Sequence, residues 1–418
     1  MTLRTLSFPA GSRVLAWLAA PLLALSAAGC VHVAVHDGPP ATPPSPMRIA
    51  TYNTSLYSEE AGGLIRRLEA GDPDARKIAA VLQRVRPDLV LLNEFDHDPE
   101  GRAADLFQQR YLGVAQADGG DPLAYPYRFF APVNTGVPSG LDLDRNGSVG
   151  GNGRARGNDA WGYGLHPGQY GMLVLSRFPI DPARVRTFQH LRWSTMPGAR
   201  RPVDPATGAP WYDDATWPLM RLSSKSHWDV PVATPHGVIH FLVSHPTPPV
   251  FDGPEDRNGA RNGDEIRLWQ WYLDDTRGEA RWLCDDQGRC GGLPDGARFV
   301  IAGDLNNDPV DGDGDHDAIL GLLEHPRVLR MATPRSRGAE DAALRDGGAN
   351  QRHRGAHAHD TGNFGPRTGN LRVDYVLPSV GLPVTGSGVF WPTADDPAAA
   401  IADATDHHLV WVDLAPPR

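Results

Sequence analysis

The sequence predicts an α/β fold in which one domain is built on two β-sheets. Short apolar runs rich in β-branched and aromatic residues recur along the 418 residues, and polar or glycine-rich stretches separate them. The composition does not change between these runs, so nothing marks a boundary between two domains. The 46 glycines and 39 prolines predict many turns and long surface loops between the strands.

The predicted elements begin with an alternating strand at residues 47–53 (MRIATYN). Apolar residues at helical spacing predict a helix over 75–85, which Pro87 ends. A buried strand at 87–96 follows. Later strands are predicted at 170–180, 238–247, 298–304, 371–379 and 407–414. The folded domain is therefore expected to span residues 47–416.

The N-terminus has the features of an export signal. Arg4 and Arg13 precede an apolar segment over 14–29, and Cys30 follows Ala-Ala-Gly. This pattern resembles the bacterial lipoprotein signal, in which that cysteine is lipidated; plain secretion and an uncleaved anchor are the alternatives. We expect residues 1–29 to be a signal peptide, with 30–46 forming a proline-rich tether. The protein would then be lipid-anchored to the cell envelope, in the periplasm or at the outer membrane.

The remaining cysteines and the net charge fit export and limit the partners. Cys284 and Cys290 would form a disulfide in an oxidising compartment, whereas two cysteines without a nearby histidine make a poor zinc site. A net charge of −10 excludes nucleic-acid binding by general electrostatics. Any phosphate would have to be bound by a local basic patch or a bound cation. No later segment is apolar enough to span a membrane, so only the N-terminal lipid is expected to contact one.

Polar side chains of the kind that bind metals or transfer protons stand at or near the ends of most predicted strands. Several strands that deliver such residues are expected to converge on one site. In chain order these side chains are Asn53, Glu94, His245, Asp304, Asn306, Asp374, Asp406 and His407.

These residues, with the motifs LSRFPI, GDLN, RVDYV and DHH in this order, resemble the endonuclease/exonuclease/phosphatase superfamily. That superfamily includes deoxyribonuclease I, apurinic endonucleases, neutral sphingomyelinases and inositol polyphosphate 5-phosphatases. The resemblance covers nearly all of residues 47–416. It implies a deoxyribonuclease I-like, four-layer α/β/β/α sandwich of two packed mixed sheets.

The resemblance also implies roles for the site residues. Asn53 and Glu94 would hold Mg²⁺ or Mn²⁺, and Asp406 would add a second carboxylate beside the metal. Asp304 would orient or deprotonate the attacking water, while Asn306 would help to hold the phosphate.

Two histidines and an aspartate complete the set implied by the resemblance. His407 would contact the phosphate or transfer a proton, with Asp374 fixing its tautomer, and His245 would act near the leaving group. The chemistry requires these residue types, because an anionic phosphodiester repels a nucleophile until a cation offsets the charge. An Asp–His pair is a common device for moving a proton.

The predicted function is metal-dependent hydrolysis of phosphate esters outside the cytoplasm by a monomer. The substrates would be small organophosphates or lipid headgroups, acted on by a phosphatase or phosphodiesterase activity. A secreted nuclease is the alternative, although the sequence lacks an aromatic and basic run that would bind a strand. A non-catalytic binding lipoprotein on the same scaffold is a third hypothesis.

Other polar residues are open to a structural or a functional interpretation. Lys225 and His227 could line the phosphate site, but an ordinary polar strand is favoured there, and His408 is expected to be structural. The acidic loops 141–147 and 308–317 are either solvated or bind structural Ca²⁺. Histidines in 353–360 lack a defined metal-ligand spacing.

Overall fold

The computed structural model describes residues 46–275 and 278–415. The predicted signal peptide, nearly all of the tether, Cys30 and residue 416 lie outside this part of the chain. The strands are β1 Met47–Leu56, β2 Leu89–Phe95, β3 Tyr127–Phe129, β4 Met172–Ser176, β5 Arg186–Thr187, β6 His227–Thr234, β7 Gly237–Ser244, β8 Arg298–Asp304, β9 Gly362–Asn363, β10 Asn370–Leu371, β11 Asp374–Pro378, β12 Val384–Val389 and β13 Val410–Leu414. The α-helices are α1 Gly63–Ala70, α2 Pro73–Val85, α3 Arg102–Phe107, α4 Gly153–Asn158, α5 Arg257–Leu273, α6 His316–Leu323, α7 Arg337–Asp346 and α8 Gly365–Thr368.

The strands form two mixed sheets and one short ribbon. The first sheet has the order β12-β13-β1-β2-β4-β3, and the second has the order β11-β8-β7-β6-β5. Each contains one parallel pair, β1/β2 in the first sheet and β7/β8 in the second. Strands β9 and β10 pair with each other. The predicted α/β fold with two packed mixed sheets is confirmed.

The layers follow from the alternation of side chains along the strands. In β2, Leu89 and Leu91 pack in the core between the sheets, whereas Val90 and Leu92 pack against α1, α2 and α3. In the second sheet Phe241 faces the inter-sheet core, while its neighbour Leu242 packs with residues of α5 and α6. Both faces of each sheet are therefore buried, which gives four layers.

The helix α2 shows how local sequence sets an element. Asp72 accepts a hydrogen bond from the Ala75 backbone N–H at 2.9 Å, and Pro73 occupies the first turn, where its missing N–H is no loss. Arg86 takes a left-handed conformation (φ 54°) and closes the helix. The prediction for 75–85 is confirmed, with a start two residues earlier.

Two predicted regions differ from the structure. The predicted strand 371–379 is broken: Leu371 ends β10, and Asp374 begins β11 in a different sheet. The stretch after His245, which matched no predicted element, contains α5, with 17 residues. Glycines 259 and 263 lower the intrinsic helix propensity of this segment, so the sequence does not indicate a helix there.

The predicted disulfide is present between Cys284 and Cys290. It closes a loop beside β5, where the Asp286 N–H donates to the Thr187 carbonyl at 2.8 Å. None of the helices within the described ranges has the length and apolar character needed to cross a lipid bilayer.

Candidate active site

The register of the two parallel pairs brings the predicted site residues to one end of the sandwich. Asn53 of β1 is opposite Asn93 of β2, so Glu94 lies one residue beyond this pair. In the second sheet Val243 is opposite Ala302, and His245 and Asp304 each follow two residues later.

Gly303 allows β8 to approach β7 closely just before Asp304. A Cβ atom on Gly303 would lie 2.1 Å from the carbonyl oxygen of Ser244, a distance that no side chain can tolerate. The glycine in this GDLN motif is therefore required by packing, and it sets the position of Asp304 beside the end of β7.

Two hydrogen bonds join the sheets at the site. The Asn53 side chain in the first sheet donates from Nδ2 to Asp304 Oδ2 in the second sheet at 3.0 Å. The backbone N–H of Asp304 donates to Asn93 Oδ1 at 3.1 Å. Asp304 is thus held from the first sheet through both its side chain and its backbone.

His407 lies between two carboxylates. Its Nδ1 is 2.9 Å from Asp374 Oδ2, and its Nε2 is 3.6 Å from Asp304 Oδ2. The Thr361 hydroxyl donates to the same Asp374 oxygen at 2.8 Å, and Asp374 Oδ1 has no hydrogen-bond partner among the described residues. Asp374, His407 and Asp304 are all buried, and they form a chain with a hydrogen bond between the first two and an ion pair between the last two.

The charges in this chain follow from its geometry. Burial would lower the pKa of His407, but Asp374 and Asp304 raise it well above its ordinary value. Burial would raise the pKa of Asp304, but His407 and His245 bring it below its usual range. Burial raises the pKa of Asp374 to about 6, even though His407 acts in the opposite direction. At neutral pH the array is a cationic imidazole between two carboxylates.

His245 is close to this array but carries no charge. Its Nε2 lies 3.4 Å from Asp304 Oδ2, and its Nδ1 is buried without a hydrogen-bond partner among the described residues. Burial and the charge of Lys225 lower its pKa to about 4. His245 is therefore a neutral imidazole at physiological pH.

Glu94 and Asn53 have the properties of a divalent-metal site. Glu94 is half-buried, takes part in no ion pair among the described residues, and has a left-handed backbone (φ 55°). Its burial raises its pKa to about 7. The Asn53 amide directs Nδ2 to Asp304, while Oδ1 receives only a 3.3 Å contact from the Ser55 N–H. A carboxylate and an amide oxygen, neither fully engaged, are the donors that Mg²⁺ and Mn²⁺ prefer.

The two remaining predicted residues stand at the rim. The Asp406 side chain is 54% exposed, and its Oδ1 is 3.9 Å from His407 Nε2. Asn306 has a left-handed backbone (φ 52°), and its Nδ2 donates to the Pro246 carbonyl at 3.1 Å. All eight predicted site residues thus lie around one centre.

One cluster of ligand-type atoms at the site differs from the predicted metal ligands. Among the described residues, one group with donor atoms within 4.8 Å of one another is Asp304, Asp374 and His407. A hydrogen bond already joins two members of this group, His407 and Asp374. The tight spacing therefore reflects the hydrogen bond to Asp374 and the ion pair with Asp304. A metal site at Glu94 and Asn53 stays a prediction.

Sequence reasoning favoured a structural role for one residue of the site, Lys225, and missed another, Thr361. Lys225 is buried, and its Nζ has only a 3.5 Å contact with the Pro246 carbonyl. Burial lowers the pKa of Lys225, although the negative charges of Glu265, Glu94 and Asp304 act in the opposite direction. Thr361 went unnoticed, because a lone threonine in a loop carries no recognisable signal.

His227 and His408 have structural contacts. The two ring nitrogens of His227 lie 2.7 Å from Ser223 Oγ and 2.9 Å from the Glu265 carbonyl. The His408 ring stacks on Trp391 with centroids 3.8 Å apart. The sequence left the roles of Lys225 and His227 open. His227 is a core residue of β6, whereas Lys225 lies near the charged residues of the site.

The acidic loops differ from each other. In the first loop, Asp142 and Asp144 lie close to Asp159, whose two carboxylate oxygens accept the Leu143 and Gly150 N–H groups. In the second loop the carboxylates accept N–H groups: Asp315 caps α6, Asp308 accepts from Val310 and Arg372, and Asp311 accepts from Arg354 and Gly355. Calcium binding by either loop stays a prediction.

The sequence profile described as "Endonuclease/Exonuclease/phosphatase family" matches residues 50–407, the span from β1 to the Asp304–His407 array. The chain belongs to the endonuclease/exonuclease/phosphatase family. No curated protein matches it. The family resemblance predicted from the strand-end motifs is confirmed.

Solved structures of family proteins resemble this endonuclease/exonuclease/phosphatase chain over most of its length. One is an endonuclease/exonuclease/phosphatase from Beutenbergia cavernae, with 18% identity and a TM-score of 0.47, covering 89% of this chain and 72% of that one. Another is sphingomyelinase C from Streptomyces griseocarneus, with 18% identity and a TM-score of 0.45, covering 88% and 99%. A third is a magnesium-bound beta toxin mutant from Staphylococcus aureus, with 12% identity and a TM-score of 0.42, covering 88% of this chain and 99% of that one.

Proposed function

We propose that this protein is a divalent-metal-dependent hydrolase of phosphate esters that acts outside the cytoplasm. The observation that carries the proposal is the buried Asp374–His407–Asp304 chain beside the half-buried Glu94 carboxylate. A binding protein has no need for a cationic imidazole held between two buried carboxylates, because that arrangement is costly to bury. The non-catalytic hypothesis is therefore the weaker one.

The pKa directions distinguish the roles in the array. Because Asp304 has a pKa below its usual range, it is a weak base and is better suited to orient a water molecule than to deprotonate it. His407 is cationic and is suited to donate from Nε2 to a phosphate oxygen. Asp374 fixes the ring by accepting from Nδ1, which leaves Nε2 directed toward the site.

Mg²⁺ or Mn²⁺ would be held by Glu94 and Asn53, with the Asp406 carboxylate at the rim as a further ligand. When bound, the ion supplies a positive charge that stabilises the additional negative charge of the transition state. Burial raises the pKa of Glu94, and a bound cation would lower that pKa again and keep the carboxylate ionised.

Three further side chains would bind and surround the phosphate. Lys225 offers a buried ammonium group that donates to the Pro246 carbonyl at 3.5 Å, so an anion could accept its remaining hydrogens. Asn306 uses one Nδ2 hydrogen for Pro246 and retains the other for a phosphate oxygen. His245, as a neutral imidazole, can exchange a hydrogen bond with the leaving group but is not the dominant acid at neutral pH.

Small organophosphates or lipid headgroups are the proposed substrates. A chain with net charge −10 repels a long polyanion, and a single bound cation with Lys225 provides a local rather than an extended positive surface. Export, with lipid anchoring at Cys30, would place the enzyme where such esters are scavenged. A nuclease activity is the alternative that the experiment below distinguishes.

The test is hydrolysis by the full chain of a phosphomonoester, a small phosphodiester, a phospholipid dispersion and plasmid DNA. Each assay is run with Mg²⁺, Mn²⁺, Ca²⁺ or chelator, and His407→Ala serves as the catalytic control. Metal-dependent turnover of a small ester or a phospholipid, lost in the variant, is expected. Cleavage of DNA with the other substrates intact would replace the substrate proposal by a nuclease. No turnover of any ester would overturn the proposed function.

A further inference from the structure

Helix α5 presents an unusual polar face in its first half. Arg261, Asn262 and Glu265 are 8%, 0% and 0% exposed, and they occupy neighbouring positions of one face. The second half of the helix is ordinary, because Ile266 and Trp269 join the hydrophobic core. The polar face therefore needs a separate explanation.

The Glu265 carboxylate holds two loops that belong to the site. Its Oε1 accepts the Ser224 N–H at 2.6 Å, and its Oε2 accepts the Thr247 N–H at 2.6 Å. Ser224 directly precedes Lys225, and Thr247 stands two residues after His245. One side chain thus fixes the distance between the loops that carry those two residues.

Asn262 extends the same connection to the segment after β8. Its Nδ2 lies 2.8 Å from the Thr247 carbonyl and 3.0 Å from the Leu305 carbonyl. Its Oδ1 accepts from Asn307 Nδ2 at 2.9 Å. Leu305 and Asn307 flank Asn306, so the side chain connects the His245 loop to the phosphate-binding asparagine.

Arg261 completes the connections on the side of Lys225. Its Nε donates to the Leu222 carbonyl at 2.8 Å, and its NH2 group donates to the carbonyls of Trp161, Arg221 and Ser223 at 2.6–3.1 Å. These bonds hold the irregular stretch that leads into β6.

Stability alone does not account for this face. Buried charged and amide side chains can often be replaced by well-packed apolar residues at little or no cost in stability. Here the side chains of Asn262 and Glu265 bond mainly to the backbone of three loops, and each of those loops carries a residue of the candidate active site.

We propose that Asn262 and Glu265 are positioning residues, which hold Lys225, His245 and Asn306 in the relative places that phosphate-ester hydrolysis requires. The inference rests on the proposed function and deepens it. Neither residue touches the substrate; each acts through the loops that it binds. A displacement of such groups by about 1 Å can lower a rate by about 10²-fold.

The test compares two nearly isosteric variants with a control on the same helix. Asn262→Asp places a carboxylate oxygen against the Thr247 and Leu305 carbonyls, and Glu265→Gln places an amide N–H₂ against one backbone N–H. Gln270→Ala removes a single bond to the Ala318 carbonyl on the side of α6 and is the control. Turnover and inhibition by inorganic phosphate are measured well below the melting temperature of every variant.

We expect both variants to lose about 10²-fold in kcat. Glu265→Gln should also weaken inhibition by inorganic phosphate, because it displaces the Lys225 loop. The control should keep wild-type kinetics. Wild-type kcat and phosphate inhibition in both variants, together with a lower melting temperature, would show a merely structural role and overturn the inference.

Hydrogen exchange separates this inference from the proposed function. In Asn262→Asp and Glu265→Gln, the backbone amides of 222–225, 247 and 305–307 should exchange faster than in Gln270→Ala. If wild type hydrolyses no ester, the proposed function fails on its own, and the exchange pattern still decides whether α5 braces these loops. Exchange equal to that of the control would overturn the bracing itself.

Discussion

Asp304 and Asp374 are directly opposite each other in the antiparallel pair β8/β11, and both of their carboxylates approach the same imidazole, that of His407. The two anions are held together by the cation between them. A slip of one residue in this pair would turn Asp374 to the other face of the sheet and leave His407 without its anchor. Strand register and the charge of the site are therefore coupled.

Asp374→Asn should lower kcat by about 10²- to 10⁴-fold with the fold intact. The amide can donate to His407 Nδ1 instead of accepting from it, which reverses the tautomer and removes the charge that keeps the ring cationic. Asp214→Asn is the matched control, since its side chain is 97% exposed. Steady-state kinetics and circular dichroism provide the check, and a kcat near that of wild type would contradict the assigned role.

Glu94→Gln should abolish the stabilisation of the protein by Mg²⁺ and reduce turnover by at least about 10²-fold. In chelator the variant should melt no lower than wild type, because the burial that raises the pKa of Glu94 outweighs the attraction of His407 and Lys225 for its carboxylate. Melting temperatures with Mg²⁺ and with chelator give the answer, with Glu60→Gln as an exposed control. An equal Mg²⁺ shift in Glu94→Gln and wild type would place the metal elsewhere.

Lys225→Met should raise KM and weaken inhibition by inorganic phosphate about tenfold or more, since a buried ammonium that binds an anion would be lost. Its melting temperature should not fall, because burial disfavours the ammonium more than Glu265, Glu94 and Asp304 favour it, as its lowered pKa indicates. Lys77→Met, which removes a surface ion pair with Asp403, is the control. A variant that binds phosphate as wild type does would remove Lys225 from the site.

His227 should make the protein less stable as the pH falls. Burial lowers the pKa of His227 from 6.5 to about 4, so between these values the unfolded chain binds a proton that the folded chain does not. Its contribution is complete above pH 6.5 and is lost as the pH falls toward 4. At pH 5 the free energy of unfolding should be lower by about 2 kcal/mol from this group.

The non-titrating variant His227→Gln isolates this contribution. Urea unfolding of both proteins at pH 7.5 and pH 5 measures how far each loses stability, and the loss in wild type should exceed that in the variant. Equal losses would show that His227 is not held neutral in the folded state.

Reduction of the Cys284–Cys290 disulfide should lower the free energy of unfolding by about 2 kcal/mol without changing turnover. The loop that it closes is short and packs beside β5, at the edge of the second sheet farthest from β11. Unfolding and activity of Cys284→Ser/Cys290→Ser are compared with wild type. A fall in kcat below the unfolding temperature would show that the loop influences the site.

The sequence predicts much of the site because the strands carry a readable signal. The apolar runs before Asn53, Glu94 and Asp304 alternate or are buried throughout, so their ends can be located. Parallel neighbours deliver consecutive strand ends to one edge, which is why these residues meet. The order of motifs then identifies the family, although no single motif would.

The features that the sequence conceals depend on tertiary contacts. Helix α5 contains two glycines and two asparagines, and its stability comes from the core and from loops far away in sequence. Thr361 reaches Asp374 from an irregular segment, and the burial of Lys225 depends on packing around β6. Neither contact has a periodic pattern, so propensity and spacing do not indicate it.

Met47 and Leu414 are paired residues of β1 and β13, so the two ends of the described domain lie side by side. Asn53 is six residues further along β1, about 20 Å away at the usual rise of a strand. A resin, a fused partner or a lipid chain joined before Met47 or after the last strand would therefore hold the domain from the side remote from its catalytic groups. Immobilised enzyme should remain open to bulky, surface-bound or particulate substrates.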